Sequence, residues 1–357
     1  MNDVATPDRI AIPTDVAGLT AEWFDAALEE KIVGARVLDV IHGTATKVKV
    51  DLDFQTDDGI DTRTVWLKTG FEKQMPEKQE RVYEGETNYY RNYADRFDTR
   101  TPHCYFADTG EDGNSLIVLE DLTPLGVKFC ELTEPATPEL MGSALEAIAR
   151  YQANSWMLPE LWESDWLRGG GAFDHAECLK WLWQDKEHWD DYSKRPRFQM
   201  LDPSLRDREK LLAAHTIART KWLRMEPWAF SHGDAHFGQF YTLPSGEVRA
   251  LDWQCIQIAH HMHDVALLMT TGLTKEDRRA CDRDLVKHYI DKLRDFGVED
   301  AIDFERAFTM MRGFAIHQVG WALCKVEMQP EENCAAATER ASAAAMDYGT
   351  VELLLNS

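Results

Sequence analysis

Long apolar runs are missing from this sequence. No stretch approaches the roughly 18 residues that a membrane-spanning helix needs, and the segment Met1 to Asp15 has neither the basic start nor the apolar stretch of a secretory leader. A cytoplasmic protein is expected. Positive charge is scarce as well: 39 Lys and Arg stand against 62 Asp and Glu, a net charge of −23 and a pI near 4.9. Such a field repels phosphate backbones and anionic headgroups, which argues against nucleic acid and membranes as partners. The 7 cysteines never fall at CxxC spacing and are odd in number, against both a thiolate zinc site and a disulfide framework. Internal repeats and low-complexity segments are absent too. What is present, 44% hydrophobic and 28% charged residues over 357 positions, is an ordinary globular composition with room for two lobes.

The texture of the chain changes part way along. Thr20 is placed to cap a short helix carrying Trp23, Phe24, Ala27 and Leu28. From Thr46, Lys47, Lys49, Asp51 and Asp53 interleave with Val48, Val50, Leu52 and Phe54, the period of two of a half-buried antiparallel strand. Asp57-Asp58-Gly59 turns the chain back into Thr62 to Lys68. A helix is expected from Pro76 to about Arg96, including Glu80, Glu84 and Glu86, then a strand over Leu116 to Leu119. Beyond Leu122 helical spacing dominates. Thr137-Pro138-Glu139 and Asp202-Pro203 read as helix starts, and Phe304, Phe308, Met311, Ala315, Val319 and Ala322 form an apolar stripe. Within this region one hairpin is expected, Gln239 to Leu243 and Glu247 to Leu251 about Pro244-Ser245-Gly246. The layout is therefore α+β: a lobe over 1–122 and a larger, mainly helical lobe over 123–357.

Chemistry concentrates in Ser231-His232-Gly233-Asp234-Ala235-His236-Phe237-Gly238-Gln239 and Leu251-Asp252-Trp253-Gln254. Phosphoryl transfer needs a carboxylate for the attacking hydroxyl and oxygen ligands that hold Mg²⁺ against the triphosphate. Asp234, then Gln239 five residues on, then Asp252 beyond a hairpin reproduce the order of a kinase catalytic loop and metal aspartate.

On these residues the sequence resembles the aminoglycoside phosphotransferase and choline kinase-like superfamily, whose HGDxxxxN loop and following hydrophobic-Asp strand end match here. The Asp252-Trp253-Gln254 ending resembles the ecdysteroid kinase-like branch and its bacterial relatives. The resemblance implies a bilobal protein-kinase-like fold, with a small antiparallel-sheet lobe before a larger helical one, using ATP and Mg²⁺ to phosphorylate a hydroxyl of a small molecule. It further implies Asp234 as catalytic residue, with His232 beside it, and Asp252 and Gln239 as metal ligands. Lys68 of Val65-Trp66-Leu67-Lys68 would hold phosphates, Glu86 would pair with it, and Glu120 and Leu122 of Leu119-Glu120-Asp121-Leu122 would offer backbone groups to the adenine. Gly43 and Thr44 would mark the phosphate loop, and Asp264 would brace the catalytic loop. Two departures stand out: Gln239 occupies the usual asparagine position, and His42-Gly43-Thr44-Ala45-Thr46 has a single glycine.

Three other readings compete. A decayed site would bind nucleotide without turnover. A metallohydrolase would use His232, Asp234 and His236 with His260, His261, His263 and Asp264, although the default for that histidine cluster is a partly solvated helix start. An aminoglycoside-type kinase would suit the acidic balance. Eight of the 12 tryptophans lie between Trp156 and Trp228. Most are expected in the core, and the remainder would favour a ring-bearing apolar alcohol as acceptor.

Overall fold

The computed structural model of the chain describes residues 10–28, 30–43, 45–71, 82–111, 113–171 and 183–357. They form two compact units, one running up to Asn92 and including Pro102–Pro124, the other made of Tyr93–Thr101 and Leu125–Ser357. Among the described residues no helix is long and apolar enough to cross a membrane.

In the first unit Thr20 accepts a hydrogen bond from the Trp23 N–H and opens α1 (Ala21–Ala27). Five strands follow: β1 (Ile32–Ile41), β2 (Thr46–Thr56), β3 (Gly59–Thr69), β4 (Cys104–Thr109) and β5 (Ser115–Glu120). They make one antiparallel sheet in the order β1-β2-β3-β5-β4. Alternation sends Val48, Val50, Leu52 and Phe54 of β2, Val65 and Leu67 of β3, and Leu116 and Val118 of β5 into one core with Phe24. Each such burial contributes about 1.5–3 kcal/mol. The same period turns Lys49, Trp66 and Lys68 to the opposite face. The inner pairings run without interruption, whereas both edge strands are irregular: β1 shifts register at Ile32/Gly34 and Val37/Asp39, and β4 at Cys104/Phe106. Val33, Val37, Leu38 and Ile41 of β1 are exposed.

The helix expected to reach Arg96 is α2 (Val82–Asn92), and Glu80 lies outside the described residues. It ends at Asn92, where the chain passes into turns, and Asp98 and Arg100 further on have φ 47° and 50°. Tyr93 and Phe97 both pack on Phe230, 5.1 Å between ring centroids, which is why this connector belongs with the second unit.

In the second unit α3 (Pro138–Ala153) starts as expected, Thr137 accepting from the Leu140 N–H with proline in the first turn. Asp202-Pro203 opens only a 3₁₀ turn, Pro203–Leu205, and Asp207 caps the helix Arg208–Thr220 instead. The C-terminal apolar stripe is likewise not one helix. Phe304–Phe314 ends at Ala315, and a short turn of helix, Ile316–Val319, leads into 3₁₀. Phe304 and Phe308 stay half-buried beneath the Arg283 guanidinium. The helix Met262–Gly272 is buried along its whole length. Strands are few: β6 (Lys128–Phe129), β8 (Phe240–Thr242) and β9 (Val248–Ala250) form a small sheet, and β7 (Trp228–Ser231) pairs with β10 (Gln257–His260). The β8–β9 hairpin is shorter than expected, since Gln239 falls in a 3₁₀ turn.

Candidate active site

Strand β7 delivers Ser231-His232-Gly233-Asp234 to the edge of the β7–β10 pair. Gly233 has φ +83°, and a Cβ on it would lie 1.9 Å from the Cys255 carbonyl oxygen, so no other residue fits. The loop is held from beneath by Asp264, fully buried in the first turn of Met262–Gly272. One of its oxygens accepts from the Ser231 hydroxyl at 2.8 Å and the Gly233 N–H at 3.2 Å; the other accepts from the Tyr151 hydroxyl at 2.8 Å and the His232 N–H at 2.9 Å. Desolvation would raise this carboxyl's pKa, but bonds to His263 and Ser231 outweigh it and hold the value at about 2.

His232, expected beside Asp234 as a catalytic residue, has both ring nitrogens committed to backbone. Nε2 donates to the Leu251 carbonyl at 2.7 Å and Nδ1 accepts from the Asp234 N–H at 3.3 Å. It therefore ties the residue before Asp252 to the Asp234 backbone, both of its ring nitrogens being engaged by backbone groups. Asp252 follows β9 in the left-handed region, φ 59° and ψ 62°, a conformation a non-glycine residue keeps only when its surroundings enforce it.

The Asp234 side chain is 39% exposed. Its pKa is pushed up to about 6, first by desolvation and also by the Asp252 charge, against His232 and a hydrogen bond from the Gln239 amide. Gln239, expected at the metal, thus has its amide directed at Asp234, a contact the sequence did not disclose. His236 lies with Nε2 3.8 Å from Asp234. It is buried, its ring edge-on to Trp321 at 5.0 Å, and burial pushes its pKa down to about 3, so it is neutral.

In the first unit Lys68 on β3 reaches Glu86 on α2, 2.7 Å apart, with side chains only 13% and 6% exposed. Lys49 pairs with Asp121 at 3.3 Å, and Asp121 also accepts from the Thr123 N–H and hydroxyl. Reasoning from sequence missed this second pair, though Lys49 occupies the same face as Lys68 one strand over. The Glu120 carboxylate accepts from the His103 N–H at 2.8 Å, and Leu122 is buried. Gly43 has no left-handed φ, and a Cβ there would meet only the Ala45 carbonyl at 3.7 Å. Nothing in its backbone requires glycine, and Thr44 lies outside the described residues.

The histidines expected at a solvated helix start are instead buried. His260, His261 and His263 are at most 1% exposed. Their rings serve separate partners: His260 accepts from the Met262 N–H, His261 meets the Tyr289 hydroxyl, and His263 meets Asp264. Among the described residues no group of three or more His, Cys, Asp or Glu is placed to hold a metal ion, which leaves the metallohydrolase reading without a ligand set. Trp183, Trp189, Trp222 and Trp228 are core residues. Trp156 donates to Asp300 at 2.7 Å, Trp162 stacks on Trp228, and Trp181 lies outside the described residues.

Residues 39–168 match the model of the Ecdysteroid kinase-like family. No curated protein matches the sequence. Among solved structures, choline kinase LicA from Streptococcus pneumoniae is similar at 12% identity and a TM-score of 0.51, over 91% of this chain and 97% of that one. A structure of LicA in complex with AMP gives 13% and 0.50, over 92% and 97%. The GDP complex of aminoglycoside 2'-phosphotransferase-IIIa gives 12% and 0.50, over 88% and 93%. With its five-stranded antiparallel sheet, its largely helical second unit and the ecdysteroid kinase-like pattern across residues 39–168, the chain has the fold of the aminoglycoside phosphotransferase and choline kinase-like superfamily.

Proposed function

We propose that the protein is a small-molecule O-phosphotransferase that moves the γ-phosphoryl group of ATP to a hydroxyl. The observation that carries this is the pair Asp234 and Asp252, linked through His232, which bonds the Asp234 N–H and the carbonyl of the residue before Asp252, on a loop braced by Asp264. Such a donor set fits Mg²⁺, which takes one or two protein carboxylates and completes its shell with water and phosphate oxygens. Bound there, Mg²⁺ would neutralise charge on the phosphates.

The chain's own residues do the rest. Asp252 would ligate the cation, and the amide oxygen of Gln239 is the atom that would be left to assist it. Lys68, held by Glu86, binds phosphate oxygens; the ion pair keeps its ammonium charged and directed. Asp234 orients the acceptor hydroxyl and accepts its proton. His232 is a positioning residue. A ring-bearing apolar alcohol is the acceptor that suits the neutral His236 beside the base.

The test is nucleotide binding followed by thermal unfolding. ATP at about 100 times its Kd stabilises by about 2.7 kcal/mol, and this upshift should require Mg²⁺ and vanish in Asp252→Ala. No shift with any nucleotide overturns the reading. A pH dependence follows too. Asp234 works as a base only when ionised, so kcat/KM for slow ATP hydrolysis, with water as acceptor, should fall as pH drops through about 6. A profile flat from pH 5 to 8 removes Asp234 from that role.

A further inference from the structure

We propose that the second unit carries an anion-binding cavity, separate from the Asp234 loop, that takes the oxyanion group of a small phosphorylated or polycarboxylate molecule. Three segments converge on a space of 360 Å³: Thr99 and Arg100 of the connector, Ser143 and Arg150 of α3, and Ser245 and Arg249 of the β8–β9 hairpin. That is room for a small metabolite.

The charges are unevenly spent. Three guanidiniums line the cavity together with two carboxylates, Glu146 and Glu247, and a third carboxylate, Asp98, lies 3.6 Å from both Arg100 and Arg150. Glu247 is saturated: it accepts from Arg100 at 2.8 Å and from two nitrogens of Arg249 at 3.2 Å each. Glu146 is shared with Lys292 at 3.3 Å. Arg150 is the exception. Its nearest carboxylates are Asp98 at 3.6 Å and Glu146 at 3.7 Å, too far for direct hydrogen bonds. Its guanidinium lies over Phe296, 4.4 Å from the ring centroid. A charged fork oriented by an aromatic ring, with N–H groups not spent on close partners, is pre-set for a bidentate oxyanion.

The backbone supports the same reading. Asp98 and Arg100, on either side of the lining residue Thr99, both sit in the left-handed region although neither is glycine. Strain of that kind costs of order 1–3 kcal/mol per residue and gathers at ligand clamps.

The test is calorimetric titration at low ionic strength without Mg²⁺, using Asp252→Ala protein so that the loop site contributes least. Pyrophosphate and citrate are the probes, in separate arms. One-to-one binding of pyrophosphate alone assigns a phosphorylated ligand, and of citrate alone a polycarboxylate. Arg150→Gln leaves the Glu247 pairs intact and should weaken binding by about 10- to 100-fold. Arg150→Lys keeps the charge but loses the fork, and should fall between. The proposal is overturned if neither probe binds, or if both Arg150 variants bind as tightly as the parent.

Discussion

Replacing Asp234 by asparagine should lower kcat for ATP hydrolysis by about 10²- to 10⁴-fold, the usual worth of a positioned general base, while nucleotide affinity stays within about twofold. Asparagine keeps the shape of the side chain and leaves the His232 bond to the backbone N–H of residue 234 untouched. What disappears is the basic oxygen and one of two neighbouring negative charges. Binding of Mg²⁺-nucleotide at Asp252 loses nothing essential by that change. Turnover and affinity are therefore expected to separate, by single-turnover ADP release on one side and thermal shift on the other. If the variant hydrolyses ATP at the parent rate, Asp234 is not the base. If it loses nucleotide binding as well, Asp234 belongs to the metal site and the division of labour between the two carboxylates is wrong.

The second large effect concerns folding. Asp264→Asn should destabilise the protein by about 3–5 kcal/mol, the cost of breaking one side of a buried charged network. Two hydroxyls, two backbone N–H groups and the His263 ring converge on this carboxylate. The asparagine NH₂ must replace one of the two oxygens, so it faces donors on whichever side it lies, and a buried donor loses its acceptor. Because the folded pKa of about 2 is below the unfolded value near 3.9, the carboxylate's contribution is fully present above pH 4 and fades as pH falls through 2. The parent and the variant should therefore differ in denaturation midpoint at neutral pH and converge in acid. A variant as stable as the parent at pH 7 would mean that the brace adds little to the fold.

Which parts of this molecule could be read from sequence depends on where the physics is local. The β2–β3 hairpin was legible because one dry face forces strict alternation, from Val48 to Phe54 and back through Val65 and Leu67. Strand β1 was not, since its two register shifts break the period and most of its side chains face solvent. Strand β4, half-buried at every position, has no alternation to detect. Spacing likewise grouped Asp234, Gln239 and Asp252, but which atom of Gln239 faces Asp234 is a matter of tertiary packing. The burial of His260, His261 and His263 depends on partners distant in sequence, Tyr289 and Phe314 among them, so no window around residue 260 could show it. The Lys68–Glu86 pair was inferred from a resemblance, whereas Lys49–Asp121 needed the strand register.

The interruptions confined to the two outer strands have a consequence for how the chain behaves when crowded. An intact ten-residue edge with Val33, Val37, Leu38 and Ile41 facing water would be a template for self-association. Register shifts within β1 and β4 leave successive N–H and C=O groups out of step with any straight incoming strand. The sheet thus stops growing after five strands, and its irregular borders protect its solubility where its composition there does not.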